Sequence, residues 1–169
     1  MSNSINKSFF YICTSLLGLI LISCYSFTGG SVPEHLKTLQ LTPVVDNSGY
    51  GNPQFRESLM RALVQRFRDD NSFTLTDNFG DARLSIVISS IIDATVAVNP
   101  GELETQRKVT VSFKAEYFDN VKKKLIWDKS FSNYQVYDVS NILTNRNAGI
   151  EKTIIQTTDD ILLSVVSGW

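Results

Sequence analysis

Two cysteines and one histidine are the only thiol and imidazole groups in this 169-residue chain, so thiol, imidazole and soft-metal chemistry must pass through three residues. Cys24 closes the tetrapeptide Leu21-Ile22-Ser23-Cys24 at the end of a short apolar run, and Cys13 lies inside that run. His35 would need a partner and a pocket to act as a general base. Its position just before the first strand pattern reads instead as a solvated linker. Metal sites draw on clusters of Cys, His or carboxylate ligands, and none appears with ligand spacing. The adjacent carboxylates Asp159 and Asp160 fall on a helical pattern, where neighbours point about 100° apart and cannot share a substrate proton. Gly49-Tyr50-Gly51 precedes a helix, as phosphate-cradling loops do. It lacks the Gly-Lys-Ser/Thr ending of a P-loop and the spacing of a dinucleotide fingerprint, so a turn followed by an N-cap is the simpler reading. No Gly-x-Ser-x-Gly elbow occurs. The expectation is a protein that is not an enzyme and has neither cofactor nor metal.

Basic residues are the remaining chemical interest. Arg107 and Lys108 open one strand pattern, and Lys122, Lys123 and Lys124 fill the turn before the next. Lysine and arginine donate well to phosphate groups, which makes these five candidate anion contacts. Lysines at edges and turns also serve to keep sheets soluble and unpaired. Over the whole chain, 16 Lys plus Arg stand against 17 Asp plus Glu. A duplex nucleic-acid binder needs a basic footprint that this balance does not supply, so no nucleic-acid partner is expected.

The N-terminus has the parts of a secretory leader. Met1 to Lys7 is polar with one positive charge, and the apolar stretch Phe9 to Leu21, about 13 residues, falls short of the ~20 needed to span a bilayer. Leu21-Ile22-Ser23-Cys24 resembles the lipobox of bacterial lipoproteins. That resemblance implies that residues 1–23 are a signal peptide, that Cys24 becomes the lipid-bearing N-terminus, and that residues 24–35 form a lipidated tether. The 146 of 169 residues left after the leader suit a single domain, placed at 36–169 behind the tether. With Cys13 in the leader, the mature chain has no intramolecular disulfide and must rely on an ordinary core.

These groups have to be positioned by recognisable elements. Leu36 to Leu41 alternates like a strand, and Pro43 suggests an edge position or the strand's end. Asn52 is a plausible N-cap with Pro53 at the first helical position. Phe55, Leu59, Leu63, Val64 and Phe67 then follow at helical spacing, and the helix is expected to end near Asp69-Asp70-Asn71. Leu84, Ile86, Ile88, Ile92, Ala94, Val96 and Val98 share one parity and predict one face of a long strand, with Ser85, Ser89, Asp93 and Thr95 on the other. Asn99-Pro100-Gly101-Glu102 reads as a hairpin turn. Val109, Val111, Phe113, Ala115 and Tyr117 alternate strictly with polar residues, so one face of that strand is buried and one is wet. Leu125 to Tyr137 forms the next strand, where Trp127 and Phe131 continue the buried face. From about Leu143 to Ser167, Ile150, Ile154, Ile155, Thr158, Ile161, Leu162, Val165 and Trp169 describe a second amphipathic helix.

The order is strand, helix, short strand, three long strands, helix; tight turns between consecutive strands favour antiparallel pairing, and two amphipathic helices must cover one sheet face. The expected fold is α+β: a two-layer sandwich with two helices packed on one face of a four-stranded, mostly antiparallel sheet.

Taken together, these features resemble the LptE family, the lipoproteins of lipopolysaccharide assembly, in its Bacteroidetes-type form. Carrying the resemblance are Cys24-Tyr25-Ser26-Phe27-Thr28-Gly29-Gly30-Ser31 and Asn47-Ser48-Gly49-Tyr50-Gly51-Asn52-Pro53. Asp81-Ala82-Arg83-Leu84, Asp160-Ile161 and Ser167-Gly168-Trp169 carry the rest. The resemblance implies two helices on a four-stranded mixed sheet, and an outer-membrane lipoprotein facing the periplasm. It implies a large β-barrel partner, LptD, whose lumen family members plug, and lipopolysaccharide as cargo. Arg107, Lys108, Lys122, Lys123 and Lys124 then become candidate lipopolysaccharide contacts. The rival readings are a periplasm-facing binding or assembly lipoprotein of another envelope complex and a cell-wall enzyme.

Overall fold

The computed structural model describes residues 32–96 and 103–167. The expectations for the leader, Cys24, the tether up to Ser31, Val98, the turn Asn99-Pro100-Gly101-Glu102 and Trp169 fall outside the described residues. Within them the elements run β1 (Thr38–Leu41), β2 (Val45–Asp46), α1 (Pro53–Asp70), β3 (Thr74–Thr76), β4 (Ala82–Thr95), β5 (Gln106–Asp119), β6 (Lys124–Asp138) and α2 (Ile142–Val166).

Helix α1 starts and stops as its sequence dictates. The Asn52 side chain accepts from the Gln54 backbone N–H at 3.0 Å, satisfying one of the donors a helix start leaves free. Pro53 occupies the first turn, where its missing N–H costs nothing. At the other end Asn71 takes a left-handed φ of 59°, and its N–H returns to the Phe67 carbonyl. Phe55, Leu59, Leu63 and Phe67 are the buried stripe. Helix α2 buries Ile150, Ile154, Ile161, Leu162 and Val165, but Ile155, expected inside, faces water. The two helices touch through Ser58, which donates to Glu151, and through Arg66, whose Nε donates to Asp159 at 2.6 Å.

The sheet corrects the expectation in two respects. It has six strands rather than four, in the order β3-β1-β4-β5-β6 with β2 also on β4, and it is mixed rather than mostly antiparallel. β1 pairs in parallel with both β3 and β4, and β2 pairs in parallel with β4. Only β4–β5 and β5–β6 are antiparallel. β2, two residues long, is too short to display a period of two, and β3, three residues long, stands where a short strand was expected after the helix. Parallel pairing follows from the connection: a crossover is required between parallel neighbours, and α1 supplies it between β1 and β3. β2 resumes the line of β1 along β4 after the interruption at Pro43, which has no N–H to give.

β3 and β4 flank β1 on opposite sides, so the segment between them, Asp77 to Asp81, crosses over β1. A Cβ on Gly80 would stand 2.8 Å from the Gln40 backbone nitrogen and 3.1 Å from the Thr38 carbonyl oxygen. Only glycine fits that crossing.

β4 departs from its sequence pattern at a bulge. Ile88 pairs with Phe113 and Ser90 with Ser112, leaving Ser89 as the extra residue. Beyond it every side chain changes face. Ile92 and Ala94, expected in the core, lie on the uncovered face, with Ile92 58% exposed. Ile91 and Asp93 take their place opposite Val111 and Val109. β5 keeps strict alternation, with Val109, Val111, Phe113, Ala115 and Tyr117 all buried beneath the helices.

Candidate functional site

The chemistry-bearing side chains gather at the two ends of the sheet. At the first end stand the entry to β1, the β3–β4 crossing and the β5–β6 turn. His35 is not a solvated linker residue: its Nε2 lies 2.7 Å from Asp119 Oδ2, and the Asp119 side chain is buried. Asp119 also accepts from the Lys122 backbone N–H at 2.7 Å. Burial pushes its carboxyl up, but the Lys122 N–H and the His35 ring outweigh burial and hold it below the ordinary value. Asp81 does similar work one strand away, accepting from the backbone N–H groups of Lys37 and Thr38 at 3.0 and 2.9 Å. Those bonds, Thr38's first, lower its carboxyl as well. Asn120 joins the turn to the crossing loop, its N–H donating to the Asp81 carbonyl at 2.8 Å and its Nδ2 to Gly80 at 2.7 Å.

At the far end, the Ser89 bulge has carried Asp93 under α2. Tyr137 donates its hydroxyl to Asp93 Oδ2 at 2.8 Å, Arg107 Nε donates to Oδ1 at 3.0 Å, and Arg146 Nη1 stands 3.6 Å away. Arg107 also holds Glu104 at 3.1 Å. Burial raises the Asp93 carboxyl, yet Tyr137, Arg107 and Arg146 together bring it below its usual range. The Arg146 guanidinium lies 5.4 Å from the Tyr50 ring centre, and Tyr50 stacks tilted on Phe55. This cluster fastens α2, the β5 entry and the loop before α1 to one carboxylate.

The five candidate cations are therefore not one patch. Arg107 is committed to Asp93 and Glu104 on the helix-covered face. Lys108 is on the opposite, uncovered face, with its Nζ 5.5 Å above the Tyr134 ring. Lys122, Lys123 and Lys124 lie exposed at the other end of β5, roughly 35–40 Å of strand away. Among the described residues none of the four lysines takes part in a salt bridge. Cys24, expected to bear lipid, falls outside the described residues. Asp159 and Asp160 have partners in Arg66 and Asn133 rather than each other. Gly49 and Gly51 both take positive φ in a turn braced by Asp46 and Ser48, as the turn reading requires.

Sequence reasoning missed Asp93, Asp119 and Phe79. The partners of the two carboxylates lie far along the chain, and Phe79 carries no periodic signal. Among the described residues no group of three His, Cys, Asp or Glu side chains is placed to hold a metal, and no helix is long and apolar enough to cross a membrane. The arrangement offers charge, aromatic surface and hydrogen-bonded bracing.

The profile of the LptE family, described as lipopolysaccharide-assembly, matches residues 36–165. No curated protein sequence matches the chain. Among solved structures, protein XCC0632 from Xanthomonas campestris is similar at 12% identity and TM-score 0.55, covering 82% of this chain and 91% of that one. The hypothetical protein CT253 from Chlamydia trachomatis is similar at 9% identity and TM-score 0.56, covering 79% and 99%. The PelC dodecamer from Paraburkholderia phytofirmans has a subunit similar at 9% identity and TM-score 0.55, covering 83% and 94%. At these identities the likeness is one of fold.

Proposed function

Because the chain belongs to the LptE family, whose profile matches residues 36–165, we propose that it is a non-catalytic lipoprotein subunit of lipopolysaccharide assembly at the outer membrane. It is held there, facing the periplasm, by lipid on Cys24, and its partner is an LptD-like β-barrel. The family match over residues 36–165 is the observation that carries this reading. The chemistry is consistent with it. A subunit that positions cargo without turnover needs a rigid body and surface charge rather than a nucleophile and a base. Its anionic cargo would meet lysine, and Lys108 and the Lys122 to Lys124 turn are the cations of the candidate set left for that purpose. Arg107 is better described as a structural brace, because two carboxylates already neutralise it.

The test is isolation of the native lipoprotein from detergent-solubilised outer membranes. An LptD-like barrel is expected in stoichiometric yield by mass spectrometry. Recovery with a different envelope complex, and no such barrel, overturns the assignment.

A further inference from the structure

The end of the molecule that carries the lysine turn also carries Phe79, the most exposed large apolar side chain among the described residues, and two further exposed aliphatic ones. Phe79 on the crossing loop is 96% exposed, Val121 in the turn 56%, and Leu125 at the start of β6 45%. Phe79 and Val121 each sit one residue from the junction where Asn120 binds Gly80 and Asp81. They are therefore neighbours, held by hydrogen bonds rather than left on independent loops. Lys122, Lys123 and Lys124 follow directly. Lys123 has a left-handed φ of 52°, a position glycine fills at lower cost.

The nearby acids form no ion pair with these lysines among the described residues. Asp119 is occupied by His35 and the Lys122 backbone, and Asp81 by the backbone of Lys37 and Thr38. Both stay ionised, so with Glu34 and Asp77 they match Lys37 and the three lysines in number; what sets Lys122, Lys123 and Lys124 apart is their exposure and the absence of an ion pair among the described residues. Aromatic and aliphatic side chains beside clustered lysines are the composition of an interfacial membrane contact. The chain's own route points the same way. His35 is fastened to Asp119 at this end, and the nine residue steps from Cys24 to Pro33 span at most about 30 Å fully extended.

We infer that this tip is a bilayer-contacting face. Phe79, Val121 and Leu125 enter the headgroup region, and Lys122, Lys123 and Lys124 face the phosphates of anionic phospholipid. The barrel-free lipoprotein thus rests tip-down on its membrane. The inference depends on the reading of Cys24 as the lipid anchor.

Acylated full-length lipoprotein carrying Phe79→Trp or, at the far end of β4, Ile92→Trp is reconstituted into two kinds of vesicle. One is phosphatidylcholine alone and the other is phosphatidylcholine mixed with phosphatidylglycerol; both include lipid brominated near the headgroup. After subtraction of the wild-type emission, Phe79→Trp is expected to be blue-shifted and quenched at least about two-fold more than Ile92→Trp in the mixed vesicles. Adding Lys122→Glu, Lys123→Glu and Lys124→Glu is expected to abolish the difference. Equal quenching at both positions overturns the proposal, as does quenching at position 79 that survives the charge reversal. N-terminal mass analysis of the same sample reports separately on Cys24 acylation, so failure of the anchor and failure of the tip give different results.

Discussion

Asp93 shows how much one carboxylate can organise. Two guanidiniums and a tyrosine hydroxyl converge on it, and hydrogen bonds to charged groups contribute about 1.5–3 kcal/mol each when both partners are kept from water. Asp93→Asn leaves Arg107 and Arg146 facing a neutral amide, and a loss of about 2 kcal/mol in unfolding free energy is expected. The pH dependence follows from the sign of the shift. Asp93 and Asp119 are both lower in the folded state than their ordinary 3.8. Their stabilisation is therefore complete above that value and is lost as pH falls through the folded values. Thermal melts should be level near neutrality and fall below about pH 4, with a shallower fall in Asp93→Asn. An unchanged acid limb in the variant would remove Asp93 from this role. Neither carboxylate could be assigned from sequence. The His35 partner of Asp119 is 84 positions away and the Tyr137 partner of Asp93 is 44 positions away.

At the scale of elements, what was legible depended on whether the determining signal was local. The signals that bound α1 lie beside it in the chain, so Asn52 and Pro53 mark its start and Asp69-Asp70-Asn71 the neighbourhood of its end. The alternation of β5 is unbroken, and its buried face is correct throughout. β4 carries the same kind of pattern but not the same outcome. One inserted residue at Ser89 inverts the code beyond it, and Asp93 reaches the covered face while Ile92 leaves it. A run of apolar residues at Ile91 and Ile92 satisfies either parity, which is why the pattern could not expose the bulge. The crossing of β1 by Asp77 to Asp81 was equally hidden, because β3 is only three residues long. Its tolerance is measurable. Gly80→Ala drives a methyl group into backbone atoms that have nowhere to retreat, and a cost of about 1–3 kcal/mol is expected in the denaturant midpoint, with the m-value unchanged. A variant as stable as the parent would refute the close crossing.

For the whole molecule, the family and the α+β class were legible because they rest on the order of elements. The number and direction of strands were not, because parallel pairing is decided by a crossover and β2 is too short to announce itself. The resulting body is two-sided, with helices over one sheet face and the other uncovered, and its candidate cations are divided between remote ends. Attachment is a property of the full chain as well. Cys24→Ala is expected to abolish incorporation of labelled fatty acid and to leave the protein unprocessed or misplaced. A variant that still takes up the label would show that another residue carries the lipid.

Under the proposed lipid attachment at Cys24, the contact between His35 and Asp119 would have a mechanical meaning. It fixes the foot of β1, so that the chain length between Cys24 and His35 would limit how far the domain stands from its anchor. Lengthening that stretch would preserve attachment while widening the angles through which the domain can swing. Releasing the contact, by contrast, would loosen the foot of the domain with no change in chain length. On that proposal, distance from the membrane and orientation towards it would be governed by different residues, and could be altered one at a time.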